Sequence, residues 1–247
     1  MPARAFVDCH SHVGPSGDDG ARNVGEGVEL CRDAVASGTR LLYATPHVWP
    51  DLRLHEARER RFREAVAEMA TLLEGLELRI GFELTPDRSL LDDDPRRYRL
   101  EGTAVCLVET PFSGGLATFF AVAEHVENAG LTPLIAHPER SLSLVGTHGN
   151  VDALLERGWP LQLTASSLTG RSGADSEALA WRLLGSCDRV VVASDGHGHH
   201  RPARLDVAWN AVRERLGSEI AARAFDGSVL GVAPPPAADD ALSASGS

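Results

Sequence analysis

The stretch Arg4-Ala5-Phe6-Val7-Asp8-Cys9-His10-Ser11-His12 joins a short apolar run directly to two histidines. The run over residues 4–9 has the length and composition of a buried β-strand. Side chains that follow such a strand stand at its carboxyl end, where parallel α/β folds place their functional groups. The same arrangement, an apolar strand followed by polar side chains, recurs along the chain and predicts the fold.

Seven apolar or β-branched runs predict strands. They cover residues 4–9, 40–45, 78–83, 104–109, 132–136, 160–164 and 189–194. Most are followed by apolar side chains near the 3.6-residue period, which predict helices; one such stripe contains Val28 and Cys31 and is closed by Gly38. Strands that alternate with helices indicate a parallel sheet covered by helices, and seven strands fit either an open sheet or a closed barrel.

Six of the seven predicted strands end in side chains that can bind a metal ion. In chain order these side chains are His10, His12, Asp19, His47, Glu83, Glu109, His137, Asp195 and His197. The sixth strand, residues 160–164, offers only an amide and a hydroxyl. Because strand ends converge in a barrel but lie in a row in an open sheet, ligands from so many strands favour the barrel.

Each of these residues has an ordinary structural explanation when taken alone, such as a turn, a salt bridge or a surface histidine. Together, at six strand ends, they indicate a site. Glu83 and Glu109 lie in apolar strands, where an unpaired carboxylate is costly. Imidazole and carboxylate without thiolate suit Mn²⁺, Zn²⁺ or Fe²⁺, and nine ligands exceed the roughly four to six donors of one ion, which predicts two or three ions. The remaining histidines His55, His125 and His148 are predicted to be surface residues.

The composition excludes several functional classes. The 247-residue chain has a formal net charge of −11, which argues against general binding of nucleic acid or anionic membranes. All 24 basic residues are arginine, which excludes Schiff-base enzymes and P-loop nucleotide hydrolases. The four cysteines form no Cys-x-x-Cys pair, and none has an arginine six residues later, so zinc ribbons and Cys-x5-Arg phosphatases are excluded.

No apolar run approaches the ~20 residues of a membrane span, and the N-terminus lacks the apolar core of a signal peptide. We therefore expect a cytoplasmic protein without a membrane span. Residues 1–232 are predicted to form one folded domain, and the Pro-, Ala- and Ser-rich residues 233–247 a disordered tail. The sequence leaves the oligomeric state open.

The motifs together resemble the polymerase-and-histidinol-phosphatase (PHP) superfamily, and within it the CpsB/CapC/YwqE branch of manganese-dependent protein-tyrosine phosphatases of capsule and exopolysaccharide synthesis. The stretches that carry this resemblance are residues 8–12, 18–20, 44–47, 81–83, 108–112, 136–140, 161–168 and 193–197. They follow the family's order and cover about residues 5–232. The resemblance implies the PHP fold, an α/β, TIM-like (β/α)7 barrel that is distorted and has seven parallel strands.

The resemblance also implies a role for each candidate residue. One metal ion would be held by His10, His12, Glu83 and Asp195. A second would be held by Glu83, Glu109 and His137, with Glu83 bridging the two ions. A third would be held by Asp19, His47 and His197, with His12 nearby. Arg140 and Arg201 would bind the phosphate.

Three functional hypotheses follow. The first is a phosphatase for phosphotyrosine in proteins, such as a bacterial tyrosine kinase, in which a metal-bridged hydroxide attacks phosphorus; manganese is the expected metal, with iron or zinc as alternatives. The second is a phosphatase for a small phosphomonoester such as histidinol phosphate or a nucleotide, which would share every ligand and differ at the pocket rim. The third, a non-catalytic regulatory barrel stabilised by metal, is the weakest because every expected ligand type is present. His199, or the adjacent His200, is the candidate proton donor to the leaving group.

Overall fold

The computed structural model describes residues 5–146 and 148–235. Its strands are β1 (Phe6–Asp8), β2 (Thr39–Ala44), β3 (His47–Val48), β4 (Glu77–Ile80), β5 (Glu83–Leu84), β6 (Val105–Glu109), β7 (Thr132–Ala136), β8 (Leu161–Thr164) and β9 (Val190–Ala193). Its helices are α1 (Val24–Ser37), α2 (Glu56–Thr71), α3 (Ala117–Asn128), α4 (Leu142–Val145), α5 (His148–Leu155), α6 (Ala174–Ser186), α7 (Asp206–Leu216) and α8 (Ser218–Phe225). The predicted α/β class is confirmed.

The strands form two parallel sheets. One has the order β1-β2-β4, and the other has the order β3-β5-β6-β7-β8-β9. These strand pairings therefore differ from the predicted single sheet of seven strands. The chain changes sheet after β2, at Thr45 and Pro46, and again after β4, at Gly81 and Phe82. Leu100 packs against Gly81 so closely that a Cβ there would lie 2.4 Å from the Leu100 Cδ2 atom.

The segments that follow the first and last strands lie side by side. The Asp195 amide donates to the His10 carbonyl (2.9 Å), and the His12 amide donates to the Gly196 carbonyl (2.8 Å). The Ser194 amide donates to the buried Asp8 carboxylate (3.0 Å). These bonds bring residues 10–12 and 194–196 together at the carboxyl ends of β1 and β9.

The helices follow the predicted apolar stripes. In α1 the Asn23 side chain accepts from the Glu26 amide at the N-terminus, and Gly38 ends the helix at a φ of 105°, a backbone angle that glycine adopts without strain. Helix α2 ends at Thr71. Cys9, Cys31 and Cys106 are buried, as expected for small apolar residues.

Two predictions concern the chain outside the site. No helix within residues 5–146 and 148–235 is long and apolar enough to cross a membrane. Of the predicted tail, residues 236–247 lie outside the described residues.

Two helical glycines, Gly27 in α1 and Gly185 near the end of α6, test the packing in opposite directions. A Cβ at Gly27 of α1 would lie 2.3 Å from the Val13 carbonyl oxygen, whereas a Cβ at Gly185 of α6 meets no atom within 4 Å. We expect Gly27→Ala to destabilise the protein by about 1–3 kcal/mol through overpacking, and Gly185→Ala to stabilise it by roughly 0.5–1 kcal/mol through helix propensity. Urea unfolding of both variants measures the difference, and equal effects would contradict the packing of α1.

Candidate metal centre

Seven of the nine predicted ligands form close groups at the carboxyl ends of the strands, and His137 and Asp195 contact members of these groups. Within the described residues, three groups bring one ligand atom from each member within 4.8 Å of one another. The groups are His12, Asp19, His47 and His197; His10, His12 and Glu83; and His47, Glu83 and Glu109. Because these groups share members, they form one connected cluster.

Glu83, the first residue of β5, is the centre of the cluster. Its Oε2 atom lies 3.0 Å from His10 Nε2, 3.2 Å from His12 Nε2 and 3.1 Å from His47 Nδ1. Its Oε1 atom lies 3.0 Å from His137 Nε2. Although Oε2 is buried beside three imidazole nitrogens, it receives no hydrogen bond of normal geometry from any described residue. The nitrogens converge on the carboxylate without pointing their protons at it.

The tautomers of two histidines show that this centre fits a cation. His10 Nδ1 lies 2.8 Å from Gln162 Oε1, and His12 Nδ1 lies 3.0 Å from Asp18 Oδ2. Both partners are acceptors, so we assign the proton of each neutral ring to Nδ1, which leaves a lone pair on Nε2. The two Nε2 atoms lie 3.2 Å apart and face the Glu83 carboxylate. Lone pairs and a carboxylate at this separation repel unless a cation binds between them, as the predicted metal would.

Asp18 and Gln162 are functional candidates that the sequence did not single out. Besides the His12 ring, Asp18 Oδ2 accepts from the His47 backbone amide (3.0 Å). Its side chain is fully buried. Gln162 is buried in β8, the strand predicted to supply no ligand. Such partners fix the tautomer and the orientation of metal-binding imidazoles.

Burial disfavours the charged forms of the side chains in the centre. Neighbouring charges and hydrogen bonds offset this effect to a different extent at each residue. Burial alone would lower the pKa of His12, but the Asp18 acceptor and the charge of Glu83 raise it to about 10 when no cation is bound. Burial would raise the pKa of Glu83, yet the charges of His10 and His47 hold it well below its usual value. Burial and the charge of Glu83 raise the pKa of Glu109 to about 7. The carboxylates of Glu83 and Glu109 therefore depend on the same neighbouring positive charges to stay ionised.

The predicted second group is arranged differently from the expectation. His47, not His137, lies with Glu83 and Glu109 in the close group, and its Nδ1 atom is 3.9 Å from Glu109 Oε2. His137 contacts the opposite oxygen of Glu83, and Glu109 Oε2 accepts from the Thr85 hydroxyl (2.5 Å). Glu83 thus lies between His137 and the other three histidines that it contacts.

Two predicted ligands have unusual backbone angles. His137 has a φ of 36° and Asp195 a φ of 52°, and no other non-glycine residue in the described ranges has a positive φ. Such a conformation costs on the order of 1–3 kcal/mol and is found mainly at functional sites. At both strand ends it aims a side chain into the cluster.

Asp195 connects the cluster to the two predicted phosphate-binding arginines. Its Oδ1 atom lies 3.5 Å from His10 Nε2 and 3.4 Å from His197 Nδ1. Its Oδ2 atom accepts from Arg140 Nη1 (2.5 Å) and from the Arg201 guanidinium. The two guanidinium groups therefore converge on one point at the edge of the centre.

Two grooves open beside the centre. The arginine cleft, of about 950 Å³, has in its lining Phe112, Arg140, Arg171, Arg201, Arg204 and Val207. The acidic groove, of about 820 Å³, has in its lining Asp18, Asp19, Glu26, Glu29, Asp33 and His197. His199 is exposed and lines only the acidic groove, whereas His200 lines both. The candidate proton donor His199 is thus separated from the arginines.

The predicted surface histidines that can be described serve structural roles. His55 accepts from the Arg58 amide at the start of α2, and His125 Nε2 lies 2.9 Å from the Asp93 carbonyl oxygen. Neither belongs to the cluster. The side chain of His148 lies outside the described part of the chain.

Comparison with known proteins places the chain in a family. A family model described as "Capsular polysaccharide synthesis, CpsB/CapC" matches residues 6–227. The chain therefore belongs to the CpsB/CapC family.

Individual relatives support this assignment. The tyrosine-protein phosphatase YwqE of Bacillus subtilis is 30% identical over 227 residues, with 87% of each chain covered. The putative tyrosine-protein phosphatase CapC of Staphylococcus aureus is 26% identical, covering 83% of this chain and 82% of CapC. A solved structure from a study of YwqE and of CpsB from Streptococcus pneumoniae, described there as unique metal-dependent tyrosine phosphatases, has a TM-score of 0.77 and 28% identity, covering 87% of this chain and 90% of the other.

Glu83→Ala is expected to lose more bound metal and more activity than Glu109→Ala. Glu83 contacts four histidines, whereas Glu109 lies at the edge of the cluster. Elemental analysis after loading with Mn²⁺, with thermal unfolding as the folding control, measures the difference. Equal losses in two equally folded variants would contradict the central role of Glu83.

Asp18→Asn is expected to weaken metal binding by about 10-fold or more, the usual cost of removing a partner that orients a metal-binding histidine. Asp33→Asn removes one negative charge from the same acidic groove and is the matched control. Competition with a chelator for Mn²⁺ measures both affinities. If the two variants bind Mn²⁺ equally well, Asp18 acts only through its charge.

Proposed function

We propose that this member of the CpsB/CapC family is a metal-dependent protein-tyrosine phosphatase. The observation that carries the proposal is the sharing of Asp195: one oxygen faces the histidine cluster and the other accepts from Arg140 and Arg201. A phosphate next to Asp195 would be within reach of both guanidinium groups and of ions in the cluster. The relatives described as tyrosine phosphatases support the same activity.

The metal cofactor we propose is two or three divalent ions, with manganese as the first choice. The residues that would hold them are His10, His12, Asp19, His47, Glu83, Glu109, His137, Asp195 and His197. When bound, such ions neutralise charge on the phosphoryl oxygens and lower the pKa of water so that it can attack phosphorus.

The side chains of the protein position the reacting groups. Asp18 and Gln162 hold the rings of His12 and His10, so that Nε2 of each faces the centre. Arg140 and Arg201 would bind the non-bridging phosphate oxygens through charge-assisted hydrogen bonds, which are strongest when the charge grows in the transition state. A phenolate has a pKa of about 10 and needs less help from an acid than an alkoxide does. His200, which lines the arginine cleft, is better placed than His199 to supply a proton.

A thiolate mechanism does not compete with this proposal. Burial raises the pKa of the Cys31 and Cys106 thiols to about 12, and that of the Cys9 thiol further still. Protonated, buried thiols are poor nucleophiles. These three cysteines therefore serve as packing residues.

We also propose that residues 1–232 form one PHP domain and that its two sheets are parts of a distorted seven-stranded barrel. The hydrogen bonds between residues 10–12 and 194–196 support this view, because they join the continuations of the first and last strands. The substrate would be a phosphotyrosine protein, such as a bacterial tyrosine kinase of capsule synthesis.

Arg140→Ala is expected to lower kcat/KM by roughly 10²-fold while metal content stays intact, which corresponds to one charge-assisted contact of about 3 kcal/mol. Arg140→Lys should restore only part of the activity, because lysine lacks the planar fork of the guanidinium group. Inorganic phosphate should inhibit the Arg140→Ala variant more weakly than the wild type.

Steady-state kinetics with a phosphotyrosine peptide, histidinol phosphate and a 5′-nucleotide, at equal metal loading, test the proposal. We expect the phosphotyrosine peptide to have the highest kcat/KM. A small phosphomonoester as the best substrate would favour the second hypothesis. Near-normal turnover by Arg140→Ala would show that the phosphate is bound elsewhere.

A further inference from the structure

We propose that the arginine cleft binds the polypeptide around the phosphotyrosine and selects segments with acidic side chains, through a second anion contact at Arg171. This inference rests on the proposed function and extends it to the choice of substrate. It concerns the part of the cleft beyond Arg140 and Arg201.

The charge of the cleft is opposite to that of the protein. Its lining contains four arginines and His200 but no carboxylate, although the chain has a formal net charge of −11. Arg140 and Arg201 are bound to Asp195, and Arg204 donates to Asp206 (2.8 and 3.2 Å). A concentration of positive charge on an acidic protein attracts anions to this place.

Arg171 is the one arginine of the cleft whose guanidinium has no acidic partner among the described residues. Its guanidinium forms no hydrogen bond or ion pair with any residue in the described ranges, and the residue is exposed. Its backbone amide donates to the Ser166 carbonyl (3.0 Å), within a turn flanked by Gly170 and Gly173 at φ angles of 75° and 95°. An incoming carboxylate would therefore meet a free guanidinium on a held backbone.

The apolar groups of the cleft indicate a polypeptide ligand. Four large hydrophobic side chains are exposed among the described residues, and three of them, Phe112, Leu142 and Val207, line this cleft. Apolar groups gathered in this way mark an interaction surface. Hydroxyl groups of Ser166 and Thr169 line the same cleft and can bond to a peptide backbone.

The size of the cleft also exceeds what the phosphate group needs. Its volume of about 950 Å³ is near the upper end of the roughly 300–1,000 Å³ of pockets that hold drug-sized ligands. Arg140, which would bind the phosphate, packs over the Phe112 ring at 4.9 Å from its centre. Space therefore remains for residues next to the phosphotyrosine.

The acidic groove would repel the same ligand. It therefore determines on which side of the phosphotyrosine the acidic residues bind. It is lined by the carboxylates of Asp19, Glu26, Glu29 and Asp33. An acidic segment is repelled there and attracted to the arginine cleft. The flanking acidic residues would thus lie on the Arg171 side of the phosphotyrosine.

The test uses the full-length, manganese-loaded protein and pairs of phosphotyrosine peptides that differ only in having Glu or Gln beside the phosphotyrosine. We expect the wild type to have a kcat/KM about tenfold higher for the acidic peptide, as one charge-assisted contact implies. The ratio should fall to about one in Arg171→Ala and invert in Arg171→Glu, and rising salt should lower it in the wild type. Arg60→Ala, an exposed arginine on α2 outside the cleft, is the matched control and should keep the ratio.

A binding measurement separates recognition from chemistry. Peptides with a non-hydrolysable phosphonate analogue of phosphotyrosine, followed by fluorescence anisotropy, should show the same tenfold preference and the same loss in the Arg171 variants. Para-nitrophenyl phosphate, which has no flanking residues, serves as the reference substrate.

The outcomes distinguish the two proposals. If acidic and neutral peptides are hydrolysed equally well, or if the preference survives Arg171→Glu, the Arg171 contact is overturned while the phosphatase activity stands. If Arg60→Ala removes the preference as strongly as Arg171→Ala, the effect is one of general surface charge, and the contact is overturned as well. If the metal-loaded protein hydrolyses no phosphotyrosine peptide, the proposed function itself fails and this inference fails with it.

Discussion

The structure depends on a single buried carboxylate, that of Glu83, which contacts four imidazoles at distances of 3.0–3.2 Å. Withdrawing an ionised carboxylate from water is costly unless charge and hydrogen bonds replace the lost solvation. Strand register places one of these contacts, because His47 and Glu83 are direct partners at the first positions of β3 and β5. The strands break at Pro46 and at residues 81–82, directly before His47 and Glu83. Each of these two residues therefore begins a new strand at the site.

Asp195 has a comparable role at the edge of the cluster, where it divides the surroundings by charge. One of its oxygens faces the histidines and the other accepts from two arginines. On one side of the 197–201 segment the lining is acidic, and on the other side it is basic. A cation and an anion approaching the same centre would therefore be attracted from different directions. This separation gives an acidic protein a surface that would attract anions.

The sequence predicted the strands and their polar ends well because both follow local patterns. The strand predicted over 132–136 is found at the same residues, the one predicted over 104–109 begins one residue later, and the one predicted over 189–194 is one residue shorter at each end. The division into two sheets was not predicted, because it depends on which strands pair across long stretches of sequence. Gln162 was missed for a related reason: it meets His10 across 152 residues of sequence, and no local pattern reports such a contact. Asp18 lies only six residues from His12, but the neighbouring Asp19 is the predicted ligand of that stretch. The sequence signal for Gln162 was a polar amide inside the fully buried strand Leu161–Thr164.

The ligand set also explains why the two sheets need one another. His10 and His12 follow β1 of the three-stranded sheet, whereas Glu83 and Glu109 belong to β5 and β6 of the six-stranded sheet. The hydrogen bond that the His10 ring donates to Gln162 in β8 joins the same two parts of the protein. Cations held among these side chains would connect both sheets, so that metal binding and the assembly of the fold are thermodynamically linked. The orientation of the His10 ring then belongs as much to the stability of the fold as to its chemistry, since its hydrogen bond to Gln162 forms only when both sheets are in place.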